Sequence, residues 1–301
     1  MNLAAQTDAV ALSAGYRRFA DFLELTKPRV TLMVLVTTFV GYYLGAEQSS
    51  SYARLIATLV GTALASGGTL ALNQYMERGS DALMERTRRR PLPDGRIVPS
   101  EALFFGVVVG GAGILLLALA VNALSAAVTA AITASYLFAY TPLKSRSALC
   151  GIVGAVPGAL PPVIGWAAAR GELDLGAWVL FAILFLWQIP HTLAIAYIYR
   201  EDFSRAGIRF LPIVEPDGRS TGRQIVAHSF ALLAVSLMPT LIGVAGSIYF
   251  VAALVLGAGF VACGVRLALA PTAAAARRLL YASLLYLPAI LVAMALDRWP
   301  L

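Results

Sequence analysis

The chain has 301 residues, of which 59% are hydrophobic and only 13% charged, with a mean hydropathy of +0.77 and a formal charge of +7. These values exclude an ordinary soluble protein and describe a polytopic membrane protein. The positive balance does not imply a nucleic-acid partner, because its placement along the chain accounts for it.

Residues 1–28 lack the apolar core of a secretory signal, and Asp8, Asp21 and Glu24 argue against an acid-poor transit peptide, so a retained cytoplasmic tail is expected. Within it, Phe19, Phe22 and Leu23 recur at helical spacing opposite charged residues, which suits a helix lying in the membrane interface before Pro28. A frayed tail is the alternative for its first dozen residues.

Nine apolar segments follow: Val30 to Leu44, Leu55 to Tyr75, Leu103 to Ala120, Leu124 to Tyr140, Leu149 to Trp166, Trp178 to Tyr199, Val226 to Val244, Ile248 to Leu269 and Leu279 to Leu296. Backbone polar groups in hydrocarbon must pair within their own segment, so each is expected to be a helix. The first needs its flanking Thr and Tyr residues to reach across. With the N-terminus in the cytoplasm, only Arg54, Arg170 and Arg298 of the 23 Lys and Arg residues fall on the opposite side. That asymmetry supports both the count and the orientation. Cys150 and Cys263 sit in separate apolar runs without metal or redox spacing and read as inert core thiols.

The second segment runs directly into NQYMERGSDALMERTRRRPL, from Asn73 to Leu92, which spaces Asn73, Glu77, Asp81 and Glu85 four residues apart. On a helix such residues drift only ~40° per step and share a face. Oxygen ligands of this kind suit Mg²⁺, which keeps several waters and accepts phosphate oxygens, and Arg86, Arg88, Arg89 and Arg90 follow with forked donors fit for phosphate. The reading is a membrane-embedded site for a Mg²⁺-bound diphosphate. An ordinary helix end with solvated charges is the alternative.

The next basic loop, YTPLKSR, is a short turn with Pro142 as breaker and Lys144 and Arg146 as cations. GAVPGALPPVIGW follows from Gly154 to Trp166, and its prolines are costly inside a helix unless they line a cavity or meet neighbouring helices; a cavity wall is expected. The sixth segment carries WQIPH, placing Gln188 and His191 three apart on one face. An ionisable side chain within a span marks a functional site, although a neutral His bonded to a neighbouring helix fits equally. His228 has no partner spacing and reads as structural, and segments seven to nine, rich in Ala, Gly and Leu, read as scaffold.

These motifs together resemble the intramembrane aromatic prenyltransferases of the UbiA type, and within them the haem-farnesylating branch. The resemblance extends from LTKPRVTLMVLVTT at Leu25 to the ninth helix, through NxxxExxxD and RTRRRPLPDGR, YTPLK, WQIPH, and YREDFSRAGIRFLP at Tyr199 to Pro212. It implies an all-α polytopic membrane protein, with about nine transmembrane helices around a central cavity forming one domain over residues 29–301.

By this resemblance Asn73, Glu77, Asp81 and Asp202 hold Mg²⁺ and act in catalysis, while Arg86, Arg90, Lys144, Arg200, Gln188 and His191 contact the substrates. Those substrates are farnesyl diphosphate and haem b, joined with addition of water, and the site lies on the cytoplasmic side of a bacterial inner membrane. The resemblance also allows contact with a haem A synthase or terminal oxidase assembly, self-association, and no nucleic acid. Two positions depart from the family pattern: Glu77 stands where Asp is usual, and Ile198 lies four residues before Asp202 where a second Asp is common.

A quinone-pathway enzyme prenylating 4-hydroxybenzoate is the competitor from the same chemistry. An anion transporter is the competitor from another class, but it would place charges near helix centres and show paired broken helices.

Overall fold

The computed structural model describes residues 15–46, 51–215 and 217–298, and within them the regular structure is helical, apart from a single isolated bridge between Ala245 and Arg298. The helices are α1 over residues 15–25, α2 (Pro28–Gly45), α3 (Tyr52–Ala82), α4 (Pro99–Ala120), α5 (Ala123–Leu143) and α6 (Cys150–Arg170). They continue as α7 (Leu175–Ile198), the short α8 (Arg200–Arg205) and α9 (Leu211–Val214), then α10 (Arg219–Leu241), α11 (Ser247–Leu269) and α12 (Ala273–Leu296).

Among the described residues, eight helices are long and apolar enough to cross a membrane, and they coincide with the second to ninth expected segments. The first expected segment forms α2, 18 residues long, whose Arg29, threonines and tyrosines dilute its apolar run. It is nonetheless part of the bundle, because it packs along the second half of α6. The outer faces present large apolar residues such as Phe104, Leu119, Leu254 and Leu285, as a lipid-facing surface does.

Between lipid-immersed helices the hydrophobic effect is weak, so close approach through small residues matters more. Along α3 and α4, Gly68 meets Gly110, Gly113 meets Ala65, and Gly61 and Gly106 leave room for Leu117 and Leu72. Along α2 and α6, a Cβ on Gly41 would run into the Pro162 carbonyl, and one on Gly165 into the Thr38 carbonyl. The main buried core lies on the other side, where Trp166, Tyr249, Phe260 and Tyr286 fill the space among α6, α7, α10, α11 and α12.

The prolines of GAVPGALPPVIGW break α6 at Leu160 into Cys150–Ala159 and Pro161–Arg170. The second half is buried from Pro161 to Ala168, and the Thr38 hydroxyl donates to the Pro161 carbonyl at 3.1 Å. The break therefore serves helix packing there, rather than the cavity wall expected from the prolines alone. The first half accommodates other side chains, since Cβ atoms on Gly154 and Gly158 would meet the Tyr140 ring and the Gln188 carboxamide.

The basic loops gather at one end of the bundle. There α1 is fastened across the ends of α3 and α4: Arg18 pairs with Glu101, Arg96 pairs with Asp21 and Glu24, and the Phe22 and Phe105 rings lie 5.1 Å apart. Gln74 donates to the Leu25 carbonyl at 2.9 Å, tying the exit of α1 to the flank of α3. A small apolar cluster of Met84, Cys150, Phe203, Ile208 and Phe210 joins the turn after α3 to the α8–α9 segment.

Replacing Gly165 by Ala is expected to lower the thermal unfolding temperature of the detergent-solubilised protein, at a cost of roughly 1–3 kcal/mol for the displaced backbone. Gly79→Ala, whose Cβ would meet open space, serves as the matched control and is expected to leave the transition unchanged or slightly raised.

Candidate active site

At 31 residues, α3 is roughly 46 Å long, well beyond an apolar slab of about 30 Å. Its last turns, carrying Asn73, Glu77 and Asp81, stand at the basic end. The helix stops at Ala82, so Glu85 leaves the four-residue ladder and lies exposed in the following turn, a correction to the spacing argument. The Thr87 hydroxyl closes that turn by donating to the Asp81 carbonyl at 2.8 Å.

Each polar side chain on this face has a partner from a different element. Asn73 is fully buried; its Nδ2 donates to Thr141 Oγ1 at 3.1 Å and its Oδ1 accepts from Lys27 Nζ at 3.0 Å. Glu77 pairs with Lys144 Nζ at 2.6 Å, and Asp81, 2% exposed, pairs with Arg90 at 2.7 Å. Three cations thus face two carboxylates and one amide in a largely enclosed space. The surplus positive charge suits a multiply charged anion.

Local backbone choices produce these meetings. Ser135–Tyr140 form a π turn in α5, and the Thr141 N–H and hydroxyl both reach the Tyr136 carbonyl. One extra residue in that turn resets the face presented by YTPLK, a device common at functional sites. Thr141 then meets Asn73, and Lys144 meets Glu77 while its amine lies 4.5 Å from the centre of the Tyr140 ring. Lys27 sits between α1 and α2 in the left-handed region, with φ 46°, uncommon for a residue with a Cβ. Burial, together with the nearby Arg90 and Lys144 cations, pulls its amine down to about 7.

The second acidic stretch approaches from α8. Asp202 pairs with Arg205, which also lies 3.8 Å from Glu85, so the two acidic turns are linked through Arg205. The Arg209 N–H donates to the Lys144 carbonyl at 2.7 Å, closing this loop onto the α5–α6 turn. Arg86 is exposed over the Tyr199 and Phe203 rings. Arg200 lies over Tyr197, whose hydroxyl bonds the Pro271 carbonyl, and so stands toward the α11–α12 turn.

Deeper along α7, Gln188 Nε2 lies 3.5 Å from the Gly154 carbonyl, and His191 Nδ1 lies 2.7 Å from Ser283 Oγ on α12. The Trp187 ring stacks on His191 at 4.7 Å and its Nε1 donates to the Ser283 carbonyl. His228 Nδ1 bonds the Gln224 carbonyl one turn back, a structural role.

Among the described residues, no three Asp, Glu, His or Cys side chains converge as a ready-made metal cage. Mg²⁺ does not need one, since it is held by one or two carboxylates plus waters and phosphate oxygens. Glu77 and Asp81 with Asn73 fit that demand once their cations have another partner, and a diphosphate is such a partner. Asp202 does not join them directly.

The sequence reading passed over Lys27, Thr141, Arg205 and Ser283. Lys27 counted there only as one more charge on the inside. The Pro28 that follows it was the available signal for a fixed turn at the head of the first span.

Comparison with known proteins bears on most of the chain. A model of the UbiA prenyltransferase family matches residues 34–288. A protoheme IX farnesyltransferase of Solibacter usitatus is 52% identical over 287 residues, covering 92% of this chain and 98% of that one. One of Koribacter versatilis is 46% identical over 291 residues, covering 92% and 93%. Among solved structures, a digeranylgeranylglyceryl phosphate synthase superposes with a TM-score of 0.78 at 14% identity, covering 93% of this chain and 98% of that one. A UbiA homologue from Archaeoglobus fulgidus bound to GPP and Mg²⁺ gives 0.64 at 16% identity, covering 91% and 99%; at these identities both support the fold.

An anion that pairs with Lys27 favours its charged form, so binding takes up a proton wherever the free amine has begun to lose its own, from about pH 7 upward. Lys27→Arg, which stays charged, removes that dependence. The ratio of variant to parent affinity for Mg²⁺-pyrophosphate, measured by calorimetry, is expected to rise about tenfold between pH 6 and pH 8; a constant ratio would show that Lys27 does not face the anion.

Proposed function

The chain belongs to the UbiA prenyltransferase family, and on that footing we propose that it transfers the farnesyl group of farnesyl diphosphate to a vinyl group of haem b, giving haem O. The observation that carries this reading is the set of three cations interleaved with Asn73, Glu77 and Asp81 at the basic end. The 52% and 46% identical relatives direct the choice of acceptor.

In this reading the C1–O bond of farnesyl diphosphate breaks and its electron pair leaves on the diphosphate. Lys27, Lys144 and Arg90 turn from the α3 side chains to the phosphate oxygens, where the charge develops. Asn73, Glu77 and Asp81 are then free to hold Mg²⁺, which supplies further positive charge to the leaving group. The vinyl π pair of haem b forms the new bond to farnesyl C1. The positive charge left on the adjacent carbon takes a water molecule, which loses a proton to give the hydroxyl. The Tyr136 and Tyr140 rings, 5.2 Å apart beside Lys144, offer π faces to an allylic cation and help keep water away until that last step.

Asp202, Arg86 and Arg200 are assigned to the rim. Arg205 and the Arg209 contact let the α8 segment close over the bound diphosphate. The one-sided distribution of Lys and Arg supports a cytoplasmic position for this end, and the reading assigns the protein to a bacterial inner membrane.

Purified protein given haem b, farnesyl diphosphate and Mg²⁺ is expected to yield a porphyrin heavier by one farnesyl group and one hydroxyl group, detected by mass spectrometry. Asp81→Asn and Glu77→Gln are each expected to lower turnover about 10²- to 10³-fold while the protein remains folded and membrane-inserted, with a lowered thermal transition because a buried cation loses its partner. Near-parent turnover in both variants, or a prenylated phenol from 4-hydroxybenzoate with no porphyrin product, would refute the proposal.

A further inference from the structure

Ser283 touches His191 and Trp187 at once, and its hydrogen bonds settle a question about the histidine that the diphosphate site leaves open. Its hydroxyl lies 2.6 Å from the Leu280 carbonyl and 2.7 Å from His191 Nδ1. A carbonyl only accepts, and a serine has one proton to give. That proton goes to Leu280, so the oxygen must accept from Nδ1–H. A neutral imidazole has no second proton, and Nε2 is left with a free lone pair and no hydrogen-bond partner among the described residues.

The ring has a second restraint. Trp187, one turn earlier on α7, stacks on it with an interplanar angle of 19°, and the indole is itself anchored because Nε1 donates to the Ser283 backbone carbonyl at 2.9 Å. One residue of α12 thus fixes the tautomer through its side chain and the stacking partner through its backbone. A histidine serving only to join α7 to α12 would need one of these contacts. Two of them, leaving Nε2 bare, describe an imidazole prepared as a ligand.

We propose that His191 Nε2 ligates the iron of the porphyrin substrate and that Ser283 is the positioning residue that presets it. This rests on the reading of haem b as the prenyl acceptor. His191 lies seven residues, about 10 Å, inside the end of α7. Gln188, on the same face of α7, reaches the Gly154 carbonyl of α6.

The test uses full-length protein loaded with ferric haem b, read by optical spectra and by ¹⁵N-histidine hyperfine coupling in electron paramagnetic resonance. The parent is expected to show a histidine nitrogen on iron, lost in His191→Ala. Ser283→Ala is expected to weaken haem binding about ten- to a hundredfold and alter the spectrum, while Trp187 fluorescence stays put because the backbone carbonyl remains. Ser283→Thr, which keeps the hydroxyl, is expected to restore both.

A parent that farnesylates haem but whose haem spectrum is unchanged by His191→Ala overturns this inference and leaves the proposed function intact. Unchanged spectrum and affinity in Ser283→Ala overturn the positioning role. A parent that neither binds nor farnesylates haem overturns the reading on which both rest.

Discussion

Everything at the basic end depends on contacts formed between the last turns of α3 and three other parts of the chain: a lysine–amide hydrogen bond from the α1–α2 turn, and ion pairs with the arginine-rich turn after α3 and the turn after α5. Such pairs in a partly buried setting are weak sources of stability, because desolvation consumes most of the attraction. Removing one partner is costly, since the other is left charged and dry. What they do supply is a set of donors already gathered, already stripped of much of their water, and already complementary to phosphate. An arrangement of this kind does little for the fold and a great deal for an anion that can replace the carboxylates as partner.

The bundle keeps those groups in register by backbone proximity rather than by a large apolar driving force. The glycine seam between α3 and α4 sets where the ladder stands, and the contacts of Gly41 and Gly165 fix α2, with Lys27 at its head, against α6. Lys27 is also held from the other direction, because α1 is tied to α3 through Gln74 and to the following turn through Arg96. The strained left-handed backbone at Lys27 makes sense in that setting, since restraints on both sides outweigh the local penalty.

Much of this was legible in the letters, and the remainder was not for identifiable reasons. Long apolar runs and the one-sided placement of Lys and Arg made the helical membrane architecture readable, because lipid leaves the backbone no other option. The ladder was readable because a period of four on a helix requires no tertiary information. It misled only at Glu85, where the chain leaves the helix at Ala82.

Contacts between elements distant in sequence were out of reach. Nothing local to Lys27 announces Asn73, 46 residues away, and nothing near His191 announces Ser283, 92 residues on. The prolines of α6 showed that the helix breaks but not which side the break serves. That depends on α2 offering a glycine where Pro162 arrives.

The central claim is that the α3 carboxylates exchange their lysine and arginine partners for a metal that arrives together with diphosphate. Mn²⁺ in place of Mg²⁺, titrated by electron paramagnetic resonance in the presence and absence of a non-hydrolysable farnesyl diphosphate analogue, tests it most directly. The account predicts weak Mn²⁺ binding alone, at least tenfold tighter binding with the analogue, and loss of that synergy in Asp81→Asn. Equal Mn²⁺ affinity with and without the analogue would contradict it.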